Sequence, residues 1–119
     1  LQAAEEAVDI RRELAAAWPD AFRPNLAASL AVSANCLETC DRLADALAAN
    51  REAITMLAPA FLGLPGAFVH WMLPMVQLYL GRCEASGSAP DGALLEPLMP
   101  ALKPFVEPPD GGQDEGERG

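Results

Sequence analysis

Displaced along itself by 46 residues, the chain falls into register with its own sequence. Residues 6–22 read EAVDIRRELAAAWPDAF and residues 52–68 read EAITMLAPAFLGLPGAF, sharing a Glu-Ala opening and a Pro-x-Ala-Phe close. The pairs Leu1/Leu47, Ala3/Ala49, Glu6/Glu52, Ala7/Ala53, Pro19/Pro65, Ala21/Ala67 and Phe22/Phe68 are identical. Val8/Ile54, Ile10/Met56, Leu26/Met72 and Leu30/Val76 are conservative. The matches form two ungapped blocks, and a period in this range marks units that cannot bury their apolar faces alone and must stack on neighbours.

The spacing of apolar residues within the period is helical. Ala3, Ala7, Ile10 and Leu14 occupy one helix face, with Glu5, Glu6, Asp9, Arg12 and Glu13 elsewhere. This predicts a first helix to about Ala17, broken at Trp18-Pro19-Asp20 because a proline disfavours helix in the residue before it. A second helix is expected to start at Pro24-Asn25 and carry Leu26, Leu30, Ser33 and Leu37 on one face. Cys40-Asp41-Arg42 reads as a short connection to a third helix through Leu43, Ala46, Ala53 and Leu57, ended or kinked at Pro59. After the Pro65-Gly66 turn comes an apolar fourth helix from about Ala67 to Arg82, bent at Pro74. EASGSAPDG at 84–92 reads as loop, and ALLEPLMPALKPFVE keeps a helical rhythm at Leu94, Leu98, Leu102 and Phe105 despite three prolines. No segment alternates with period two, so the expectation is an all-α chain of about five helices, antiparallel because the connections are short.

Composition narrows the function classes. At 119 residues and 51% hydrophobic, the chain suffices for one domain with a core. A net charge of −9 argues against nucleic acid as partner, since phosphate binding needs a basic stripe. No apolar run approaches the roughly 18 residues of a membrane span. Three cysteines form no disulfide framework, which suits a reducing cytoplasm. The chain opens at Leu1 in mid-pattern, as a piece of a longer protein would. Five acids, Glu107, Asp110, Asp114, Glu115 and Glu117, fall in a segment without core-forming residues, so 107–119 is expected to be a disordered acidic tail.

Side chains with chemistry to offer do not assemble in the sequence. Cys36 and Cys40 lie one turn apart, with Cys83 and His70 as conceivable further zinc ligands, but Cys83 stands in register with the packing residue Leu37 and no CxxC-type pair exists. His70 is the single histidine and has no sequence partner to make a nucleophile and base. Gly63-x-x-Gly66 and Gly111-Gly112 lack the context of a phosphate loop. Trp18, Phe22, Phe61, Phe68, Trp71 and Tyr79 fall at helix ends or apolar-face spacings, as core residues do. The expectation is a protein that is not an enzyme and holds no metal or cofactor.

The paired helices resemble the tetratricopeptide repeat over about 80 of the 119 positions. With Ala46 and Ala53 at the family's two second-helix alanines, Leu30, Ala34 and Leu37 take its first-helix packing positions, and Glu6-Ala7 and Glu52-Ala53 both match its second-helix Glu-Ala. Asp41 replaces the family's turn glycine, and the period of 46 is longer than usual, similar to the kinesin-light-chain-like class and to repeat arrays of actinobacteria. The resemblance implies a helical solenoid over 1–106: residues 1–18 as the second helix of a preceding repeat, 24–62 as a full repeat, and 66–106 as a degenerate cap. It further implies a cytoplasmic scaffold that binds a protein or peptide in a concave groove lined by first helices. Carried onto this chain, the groove positions are Ala28, Ala31, Asn35, Glu38 and Thr39, then Pro74, Gln77, Gly81 and Glu84. Asn35 is the residue expected to hydrogen-bond a peptide backbone. Two alternatives stand beside it: a self-associating module that forms a homodimer through uncovered apolar faces, and a regulatory segment of an upstream NTPase or protease.

Overall fold

A computed structural model describes residues 2–106, with side chains described for residues 5–18 and 21–106. The chain is all-α: α1 (Gln2–Ala17), α2 (Pro19–Thr39), α3 (Leu43–Gly63), α4 (Pro65–Ser86), α5 (Gly92–Leu95) and α6 (Met99–Val106). The four long helices pack antiparallel in chain order, each on the next, while α5 lies on α3 and α6 on α4. The acidic tail lies outside the described residues. Among the described residues no helix is long and apolar enough to cross a membrane.

Two helix starts have the same geometry. Trp18 precedes Pro19 with φ −135° and ψ 77°, and Leu64 precedes Pro65 with φ −138° and ψ 72°. The proline ring pushes the residue before it out of the helical region, and its missing N–H is no loss in a first turn. Both breaks therefore turn the chain sharply without a loop.

The ends of α2 and α4 match in the same way. Asp41 has φ 60° and Gly87 φ 73°, both in the left-handed region. Around Asp41, the Arg42 N–H bonds the Leu37 carbonyl at 2.9 Å and the Asp41 N–H bonds Glu38 at 3.0 Å. Around Gly87, the Ser88 N–H bonds Cys83 at 2.9 Å and the Gly87 N–H bonds Glu84 at 3.2 Å. This pair of bonds closes a helix on a left-handed residue and satisfies two terminal carbonyls. Asp41 is the one described non-glycine residue with positive φ.

The core follows the 46-residue spacing at three of the four conservative pairs; the exception is Ile10/Met56, where Ile10 is 60% exposed and Met56 half-buried, because α1 turns Val8 and Ala15 inward instead. Val8 and Ile54, Leu26 and Met72, and Leu30 and Val76 are all buried at 46-residue separations, with Phe61 and Tyr79 the largest fully buried side chains. Ala34, Ala46 and Ala53 have no exposed surface, so small residues set a close approach between helices.

Several boundaries differ from the expected ones. Helix α2 starts at Pro19, not Pro24, because Pro19 is itself a suitable first residue; Pro24 lies within the helix. Helix α3 passes through Pro59 to Gly63, and α4 extends from Pro65 to Ser86. The expected fifth helix is two pieces. Pro97 and Pro100 lack the N–H groups that the carbonyls of Ala93 and Glu96 would need, so the ladder fails between α5 and α6. Trp18 is 60% exposed rather than packed, since the extended residue between two helices belongs to the buried stripe of neither; it keeps a tilted contact with Phe22 at 6.3 Å.

Candidate binding surface

Helix α4 is almost free of charge: from its first residue Pro65 to Cys83 only Arg82 carries one. Arg82 is nevertheless buried, at 4% exposure. A buried guanidinium is tolerable only when its donors are met, because desolvating a charge costs several kcal/mol. Three residues meet them. Nε donates to Glu38 Oε1 at 2.9 Å, Nη1 to Asn50 Oδ1 at 2.7 Å and Nη2 to Asn35 Oδ1 at 2.7 Å. Asn50, itself buried, donates from Nδ2 to the Met75 carbonyl at 3.1 Å. The node therefore joins α2, α3 and α4.

Asn35, Glu38 and Thr39, three residues expected to bind a partner, are exposed on the last turns of α2. Thr39 Oγ1 donates to the Asn35 carbonyl at 3.0 Å. Arg82 fixes the amide orientation of Asn35: because Oδ1 accepts from the guanidinium, the two N–H donors of Nδ2 face elsewhere. Glu38 commits Oε1 to Arg82 and retains Oε2 as an acceptor. Donor and acceptor stand one turn apart on a helix whose end is held in place. Gln77 and Glu84, the expected contributors from α4, are exposed and outside the node, while Ala28 and Ala31 are half-buried. Sequence reasoning did not single out Arg82 or Asn50. The available signal was a lone arginine in an apolar helix, which must find acceptors when that helix is covered.

Other polar contacts fix the frame. Asp91 accepts from the Ala93 and Leu94 N–H groups at the start of α5, pairs with Arg51 at 2.6 Å, and donates its own N–H to the Tyr79 hydroxyl at 2.8 Å. Burial pushes the Tyr79 hydroxyl above its usual range, opposed by the Asp91 N–H and assisted by Cys83. Arg12 of α1 makes a two-pronged pair with Glu52 of α3, which raises the Arg12 pKa.

The cysteines are dispersed in burial: Cys83 is buried, Cys36 half-buried and Cys40 exposed. Among the described residues no three His, Cys, Asp or Glu side chains converge to hold a metal ion. His70 is exposed with its ring 5.7 Å from Trp71. No family model, curated protein or solved structure matches the chain.

Proposed function

We propose that this chain is a non-catalytic binding module of tetratricopeptide type, engaging a protein or peptide through the exposed ends of α2 and α4. The observation that carries the reading is the Asn35–Arg82–Glu38 node, in which a buried cation orients an outward amide donor beside an outward carboxylate acceptor. Such a pair complements the C=O and N–H of an extended peptide, and side chains held before binding lose less entropy when they bind. The repeat reading draws on the matched junctions at Trp18/Leu64 and the matched terminations at Asp41/Gly87, each 46 residues apart. In this reading α5 and α6 replace the second helix of the last unit, broken by its prolines, and the setting is cytoplasmic.

Asn35→Asp tests the site without dismantling it. The carboxylate still accepts from Arg82, while the outward N–H donors are gone. Peptides selected from a display library on the wild-type chain should bind Asn35→Asp roughly tenfold more weakly or worse, at unchanged melting temperature. Equal binding, or no selectable peptide, removes the groove reading.

A second reading, self-association, draws on Trp18 at 60% and Leu64 at 63% exposure, both at the same end of the antiparallel helices. A concentration-dependent dimer that Trp18→Ser with Leu64→Ser abolishes would establish it.

A further inference from the structure

A cavity of about 420 Å³, within the range that small-molecule sites occupy, lies between α1 and α3. One wall is the face of α1 that carries Glu5, Asp9 and Arg12, the other is α3 at Glu52, and Val8, Leu30 and Ser33 form a buried base. The two-pronged Arg12–Glu52 pair links the walls. It leaves Glu5 and Asp9, one turn apart on α1, without an ion pair among the described residues. Ser33 supplies an independent observation. The hydroxyls of Ser29, Thr39, Thr55, Ser86 and Ser88 all have hydrogen-bond partners, those of Thr39 and Thr55 being the carbonyl one turn back. The Ser33 hydroxyl has none among the described residues, although the residue is only 6% exposed, and it is not sealed off but keeps surface open to the cavity. A polar group this buried is costly without a partner, because nearly all such groups in folded proteins have one.

We propose that this cavity binds a short aliphatic diamine. Its two ammonium groups pair with the carboxylates of Glu5 and Asp9, one of them also donates to Ser33 Oγ, and the methylene chain lies on Val8 and Leu30. Residues one turn apart on a helix have Cβ atoms about 5–6 Å apart, a separation that a chain of four methylenes bridges. The lining carries three carboxylates and one guanidinium, and a dication neutralises the excess of two negative charges. A compact divalent ion does not fit, because no three acidic side chains among the described residues converge on one point. An anion would meet the unpaired carboxylates, and a diol would leave them without counter-charge. Ser33 and Asn35, two positions apart on α2, face nearly opposite sides of that helix. The site is therefore separate from the peptide surface on α2 and α4, and neither reading depends on the other.

The test is calorimetric titration with putrescine at low salt, with butylamine, 1,4-butanediol and Mg²⁺ as controls. Three variants accompany it. Ser33→Ala removes the unpartnered hydroxyl at constant charge. Glu5→Gln with Asp9→Asn removes the two unpaired carboxylates at exposed positions, and Glu13→Gln with Glu96→Gln removes the same charge at exposed positions outside the cavity. Putrescine should bind the wild-type chain at one site, about tenfold or more tightly than any of the three controls. Binding should weaken about three- to tenfold in Ser33→Ala and about tenfold or more in Glu5→Gln/Asp9→Asn, and hold in Glu13→Gln/Glu96→Gln. Absence of putrescine binding overturns the proposal, as does binding that Mg²⁺ matches, that Ser33→Ala leaves unchanged, or that the outlying charge variant weakens as much as Glu5→Gln/Asp9→Asn does.

Discussion

Arg82 Nη1 and Asn50 Oδ1 meet at 2.7 Å with both side chains buried, so the contact between α3 and α4 is secured by a charge that has no water to turn to. Its value lies in what its loss would strand. Asn50→Ala leaves a guanidinium donor unmet inside the protein and should cost about 2–4 kcal/mol in denaturant unfolding. Asn50→Leu combined with Arg82→Met removes both sides and should recover stability to within about 1 kcal/mol of wild type. A double variant as unstable as Asn50→Ala would show that the polar contact adds net stability.

Asp41 adopts the backbone of a glycine. A side chain in the left-handed region costs about 1–2 kcal/mol, less for Asp than for most residues. Asp41→Gly should therefore raise stability by about 0.5–1 kcal/mol, and Gly87→Ala should lower it by about 1 kcal/mol. Thermal melts of the two variants shifting in the same direction would contradict the shared termination geometry.

Ala53 has no exposed surface in α3. Ala53→Leu adds three carbons where helices approach closely, and overpacking of this kind costs about 1–3 kcal/mol. An unchanged melting temperature would mean that the space around Ala53 is not filled.

The raised Tyr79 pKa gives the protein an alkaline limit. In the unfolded chain tyrosine ionises near pH 10.0, while burial keeps the folded hydroxyl neutral to higher pH. The unfolded state then binds fewer protons than the folded state, so stability is full below about pH 10 and falls as pH rises through the folded pKa. Tyr79→Phe should abolish that part of the alkaline decline. It should also cost about 1 kcal/mol near neutrality, because the Asp91 N–H loses its acceptor. An identical stability slope above pH 10 in the two proteins would assign the decline to other groups.

The sequence by itself determined where the four long helices lie and the main buried positions of α2, α3 and α4; in α1 the expected face of Ala7, Ile10 and Leu14 is not the buried one, since Val8 and Ala15 are buried and Ile10 is 60% exposed. The 46-residue register and the 3.6-residue rhythm placed Leu26, Leu30, Ala53 and Val76 in the core, and the Cys40–Arg42 connection between antiparallel helices. These features depend on local sterics and on periodicity, which neighbouring residues encode. Proline positions were legible as breaks only in part. Pro19 and Pro65 start helices, whereas Pro24, Pro59 and Pro74 remain inside them, because packing on both sides outweighs one missing hydrogen bond.

Only the tertiary structure decided how the polar residues are spent. Asn35 and Glu38 were visible as exposed candidates, but their partner lies 47 and 44 residues away on another helix. No local pattern relates such positions. The same holds for Arg12, whose partner Glu52 lies 40 residues away on α3. Periodicity specifies which side of a helix faces inward, whereas the choice of polar partner depends on the rotation and offset of one helix against the next, and that is settled when the cores pack.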